Sequence, residues 1–152
     1  MTTGTAQTLS IDDLVADFDL LDDWEDRYRH VIELGRGLAA LPEAKHTEAN
    51  KVRGCASQVW LSTEVVEDGD RTRLVFAGDS DALIVKGLVA IVIAMFSGRT
   101  AEEIAAIDAE EVFSRLDLRA HLTTQRSNGL RALVDRIKAD AGAALRNRAK
   151  DA

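Results

Sequence analysis

The sequence predicts an α+β domain, a small antiparallel sheet of two to three strands covered by helices. Three observations carry that expectation. Apolar residues recur at helical spacing through the first forty positions. From Ser57 the period changes to two, around an Asp68-Gly69 turn signal. Helical patterns with capping signals resume after Gly78.

Each element has a local reason. Ser10-Ile-Asp-Asp13 is a capping start with carboxylates near the helix N-terminus, and Leu14, Phe18 and Leu21 follow at helical spacing. A second helix is expected from about Asp23 to Leu34, with Trp24, Tyr28, Val31 and Ile32 on its apolar face and Gly35 as its stop. Leu41–Gly54 reads as a polar connector containing Pro42, with a weak third-strand signal around Lys51–Arg53. Val59, Leu61, Thr63 and Val65 then alternate with Gln58, Trp60, Ser62 and Glu64. The return strand is about Arg71–Ala77, with Leu74 and Phe76 facing the core. Ala82–Phe96 reads as a buried helix containing Met95 and opened by Gly78-Asp-Ser-Asp81, with Asp79 or Ser80 as cap. Ser97-Gly98 ends it. Thr100-Ala-Glu-Glu103 and Asp108-Ala-Glu-Glu111 open two short helices. The last helix is expected from near Ser127, carrying Leu130, Leu133, Val134 and Ile137, with a polar tail that frays beyond Ala141.

The totals restrict the function. At 152 residues the chain fits one domain, 1–152, with a core of about 11–140 and mobile termini. A net charge of -7 argues against binding nucleic acid, which needs clustered Lys and Arg, and against docking on an anionic membrane. Met1–Ser10 lacks the pattern of a secretory signal, and no apolar run approaches the ~20 residues of a membrane span. The expected location is the cytoplasm. His30 and His46 have no spaced partners for a metal and read as surface residues.

Cys55 is the only cysteine. No internal disulfide or resolving thiol exists, so sulfur or redox chemistry at Cys55 must finish on another molecule. Gly54 lets the backbone bend beside it. Lys51 and Arg53 lie close in sequence, and positive charge nearby would favour the thiolate. Composition alone favours the other reading, a small buried hydrophobe with no chemistry.

Asn50-Lys-Val-Arg-Gly-Cys-Ala-Ser-Gln-Val-Trp60 resembles the active-site segment of SufE-type cysteine desulfuration proteins. Gly78-Asp-Ser-Asp-Ala-Leu-Ile-Val-Lys-Gly-Leu88, His121-Leu-Thr-Thr-Gln-Arg-Ser-Asn-Gly-Leu130 and the upstream Ile32-Glu-Leu-Gly35 resemble the same family, in the same order. The resemblance implies a fold similar to the iron–sulfur scaffold domains of the IscU/NifU type. It implies that Cys55 accepts persulfide sulfur from a SufS-like cysteine desulfurase, stimulates that enzyme and hands sulfur to a SufBCD-type assembly complex. Pyridoxal phosphate belongs to the partner; the carrier itself needs no cofactor or metal and works as a monomer or homodimer. Arg53, Gly54, Ser57 and Trp60 would support the loop. One departure stands out: the family carries proline where this chain has Thr124, which would loosen the start of the last helix.

Other residues have two readings each. His121 and Arg126 either meet a partner or organise the last helix. Asp79 and Asp81 read as helix-start carboxylates, with Asp81 also a candidate for partner docking. Trp60 either shields Cys55 or packs, and Lys86 snorkels from its helix. A rival to the carrier is a thiol enzyme, a hydrolase or one-cysteine peroxidase, using Cys55 with His121 as base. A second rival is an acidic adaptor with an inert cysteine.

Overall fold

The computed structural model describes residues 10–55 and 57–151. The segment Met1–Leu9, whose polar character argued against a signal, lies outside the described residues. Two helices, α1 (Ile11–Asp19) and α2 (Trp24–Arg36), precede the hairpin of β1 (Val59–Asp68) and β2 (Arg71–Ser80). Helix α3 (Leu83–Phe96) follows, then β3 (Arg99–Thr100), α4 (Ala101–Ala106), α5 (Ala109–Arg115) and α6 (Thr124–Asp151). The fold is α+β, with a three-stranded antiparallel sheet in the order β1-β2-β3.

The caps of α1, α4 and α5 fall where the sequence places them. Ser10 and Thr100 form complete capping boxes with Asp13 and Glu103. Asp23 and Asp108 accept from the first-turn amides of α2 and α5. One face of the hairpin buries Val59, Leu61, Leu74 and Phe76 beneath α3 and α6. Ile91, Met95 and Phe96 of α3, Phe113 of α5 and Ile137 of α6 are fully enclosed with them. Each such side chain contributes roughly 1.5–3 kcal/mol relative to exposure.

Several expectations are corrected. Gly35 does not stop α2. It lies inside the helix, buried at the crossing with α3, where an added Cβ would stand 2.7 Å from the backbone nitrogen of Gly87. The third strand is β3, paired through Arg73 with Thr100 and Leu74 with Arg99; Lys51 contributes only a single bridge to Trp60. β2 runs on to Ser80, because the hairpin register continues from Asp68 opposite Arg71 to Val59 opposite Ser80. Neither Asp79 nor Ser80 therefore caps α3, which starts at Leu83 without a side-chain cap.

α6 also differs at both ends. It begins at Thr124 rather than Ser127, and the Thr123 hydroxyl accepts from the Arg126 amide at 3.2 Å. Thr124 thus occupies the first helical position, the place where proline is favoured. The tail does not fray at Ala141: the helix continues to Asp151, Ala141 and Ala144 are buried, and Arg148 donates to Glu67 and Thr72 at 2.8 and 2.6 Å.

Candidate functional site

Cys55 sits on a tight loop closed at its base. The Val52 amide donates to the Val59 carbonyl at 2.8 Å, and the Leu61 amide donates to the Asn50 carbonyl at 2.7 Å. Between these bonds the chain must reverse in a few residues. Gly54 makes the turn at φ +91°, a left-handed conformation that side chains disfavour.

The other stem of the loop is tied to the end of the hairpin. Asp81 accepts from the Gln58 amide at 3.1 Å and from its side chain at 3.5 Å, while the Asp81 amide donates to the Gln58 carbonyl at 3.3 Å. The carboxylate read as a charge at a helix start is instead a clamp on the cysteine loop.

The loop lies on the first turns of α6. The half-buried Cys55 thiol donates to the Gly129 carbonyl at 3.7 Å. Beside it opens a cavity of about 240 Å³. Val59, Leu88, Val89, Leu130 and Leu133 supply its apolar lining, and Ser57, Thr123 and Arg126 are among its polar members. Arg126 is exposed.

Burial pushes the Cys55 thiol up from its ordinary value. At neutral pH the resting residue is a thiol, not a thiolate. The expected help from Arg53 is absent, because its guanidinium reaches out to Glu48 at 3.0 Å and both side chains are largely exposed. Exposure of Cys55 to solvent would remove that cause and bring its pKa back toward that of an ordinary thiol.

His121 is not brought to Cys55. Its ring lies on Trp24, with centroids 3.9 Å apart, and its carbonyl accepts from the Tyr28 hydroxyl. It is not among the residues that line the cavity, so no thiol–imidazole pair of the kind a hydrolase uses is formed. Trp60 is likewise outside the lining and packs edge-on against His46, centroids 4.7 Å apart.

His46 is not a free surface residue. Its Nε2 meets Asp79 at 2.8 Å and its Nδ1 meets the Pro42 carbonyl at 3.1 Å. The bond to Asp79 raises the His46 pKa above its ordinary value, against the opposing effect of burial. Burial pushes Asp79 up, but the bonds from His46 and Ser80 and the charge of Lys86 outweigh it, and its carboxyl lies below the usual range. Lys86 ends 3.5 Å from Asp79 rather than in open solvent. The cluster ties the connector after α2 to the hairpin. His30 is partly buried too, edge-on to Phe18, with an Nε2 that finds no partner among the described residues.

Sequence reasoning assigned no role to Gly129 or to the apolar lining of the cavity. A signal was present, because Arg126, Gly129, Leu130 and Leu133 share one helical face. Among the described residues, no group of three or more His, Cys, Asp or Glu side chains is placed to hold a metal ion, and no helix is long and apolar enough to cross a membrane.

Residues 12–141 match the family described as SufE, the Fe-S metabolism associated domain. An uncharacterized SufE-like protein of Rhizobium meliloti (strain 1021) is 54% identical over 132 residues, covering 87% of this chain and 94% of the relative. Another, of Rhizobium etli, is 58% identical over 132 residues, covering 87% and 89%. A solution structure of a hypothetical protein from Thermus thermophilus superposes with a TM-score of 0.67 at 20% identity. That alignment covers 89% of this chain and 95% of the other, and bears on the fold alone.

Proposed function

The chain belongs to the SufE family, the Fe-S metabolism associated domain, and from that premise we propose that Cys55 accepts and carries sulfur as a persulfide. The observation that carries this reading is the placement of Cys55: the tip of a tight loop, against a mostly apolar cavity of about 240 Å³. A water molecule occupies ~30 Å³ of liquid, and one extra sulfur atom is of similar size, so the cavity has room for it.

The donor is the persulfide of a cysteine desulfurase, whose pyridoxal phosphate supplies the sulfur chemistry on the partner's side. On docking, the loop leaves its seat and Cys55 loses its proton to solvent or a partner base. The thiolate attacks the outer sulfur of the enzyme's Cys–S–S–H. A new S–S bond forms at Cys55, the enzyme's own S–S bond breaks, and its cysteine departs as a thiolate. No net oxidation occurs, because a sulfane sulfur moves between two thiols. Emptying the desulfurase in this way stimulates its turnover. Delivery to a SufBCD-type assembly complex repeats the exchange with Cys55 as donor, in the cytoplasm.

Arg126 beside the cavity supplies a positive charge for the departing thiolate or for the loaded persulfide. The position of His121 lends no support to the thiol-enzyme reading. The test is intact mass without reductant, after mixing the protein with a cysteine desulfurase and cysteine. A gain of one sulfur atom on the native chain, and none on Cys55→Ser, is expected. No adduct on the native chain while the desulfurase turns over would sink the reading.

A further inference from the structure

Cys55 rests on a point of α6 that carries no side chain. An added Cβ on Gly129 would stand 3.3 Å from the Cys55 Sγ and 3.5 Å from both its Cα and its Cβ. The Gly129 carbonyl is at the same time the acceptor for the thiol. One turn further on, Ala132 supports the neighbouring residue: a Cβ on Gly54 would lie 3.3 Å from the Ala132 methyl. Glycine is a poor choice inside a helix, so its use here calls for a reason, and the approach of Cys55 supplies one.

We propose that Gly129 is a positioning residue: it sets the depth at which Cys55 is seated against α6, and so how far the sulfur is screened before transfer. Its lack of a side chain lets the loop come down, and its carbonyl oxygen favours S–H over S⁻. The seat matters biologically only if Cys55 carries sulfur, so the proposal rests on that reading for its purpose. The geometry dictates which side yields when a methyl is added. α6 is a continuous helix of 28 residues, whereas the loop is tied at its base by a few bonds. The loop is the softer partner and moves outward.

The experiment is alkylation of Cys55 by iodoacetamide in the full chain, followed by intact mass from about pH 6 to about pH 10. Gly129→Ala is expected to react roughly three- to tenfold faster near pH 8, with its midpoint displaced downward toward that of an ordinary thiol. Gly142→Ala is the control: it lies on the same helix, its added Cβ meets only the Arg146 guanidinium, at 3.4 Å, and its profile should match the native one. A role in helix stability alone would move unfolding midpoints in both variants and the alkylation profile in neither. Ala132→Val, which crowds Gly54 instead, serves as a second variant with the same expected direction should Gly129→Ala not fold. An unchanged or slower profile in whichever variant folds overturns the proposal. No desulfurase is present in this assay, so failure here leaves the carrier reading standing, and an absent sulfur adduct leaves the seat standing.

Discussion

Gly35 and Gly87 face each other where α2 crosses α3. A Cβ on Gly35 would come within 2.7 Å of the Gly87 nitrogen, and a Cβ on Gly87 within 2.1 Å of the Val31 carbonyl oxygen. The two helices therefore pack backbone to backbone at this point. Neither main chain can yield without lifting α2 off the buried helix, because the obstructing atoms are not the ends of flexible side chains.

Gly87→Ala is expected to destabilise the fold by about 3 kcal/mol or more, at the upper end of what overpacking costs. A urea unfolding curve checks it through the midpoint at constant slope. A midpoint equal to that of the native chain would mean that the crossing is looser than described.

The His46–Asp79 pair makes stability depend on pH. The folded protein holds the His46 proton more tightly than the unfolded chain does, since the bond to Asp79 raises its pKa above 6.5. That contribution is fully present below 6.5 and is lost as pH rises through the raised folded value. Asp79, held below 3.8, contributes in the opposite sense: its share is present above 3.8 and is lost as pH falls through the lowered folded value. Unfolding midpoints measured from about pH 5 to about pH 9 should decline for the native chain across the upper window. His46→Gln should flatten that decline, and an equal decline in both proteins would refute the assignment.

Asp81→Ala should free the stem of the cysteine loop. The exposed carboxylate accepts from the Gln58 amide, and its removal is expected to cost about 1 kcal/mol while raising hydrogen exchange at Gln58. Exchange at Gln58 as slow as in the native chain would show that the clamp contributes nothing.

The legible parts of the fold were those governed by neighbours in sequence. Ser10, Thr100 and Asp108 cap helices through amides three residues on, and the strand alternation around Leu61 and Leu74 follows from one-sided burial. Asp79 and Asp81 misled because a carboxylate before an apolar helix looks the same whether it caps or reaches across the fold to His46 or Gln58. Gly35 misled for the same kind of reason: a glycine that ends a helix and one that lets another helix approach are identical in sequence. β3 is two residues long and leaves no periodic trace.

At the site, Cys55 and the loop around it were legible through a family pattern rather than through spacing. The surroundings were not. The α6 residues beside the thiol come from more than seventy positions away, and His121, in the same family block as Gly129, turns to Trp24 instead. The tail of α6 looked too polar to persist. Its small Ala141 and Ala144 are nevertheless buried, and Arg148 finds its partners on the hairpin.

The hairpin also separates two ends of the molecule. Ten residues of β1 run from Val59, at the base of the cysteine loop, to Asp68 at the turn, a span of roughly 30 Å at ~3.3 Å per residue. A dye, a surface linker or an affinity handle placed at Asp70, in that turn, would stand remote from the thiol and leave the cysteine loop uncovered. The protein can in this way be immobilised in one orientation, with its cysteine-bearing end presented to whatever flows past.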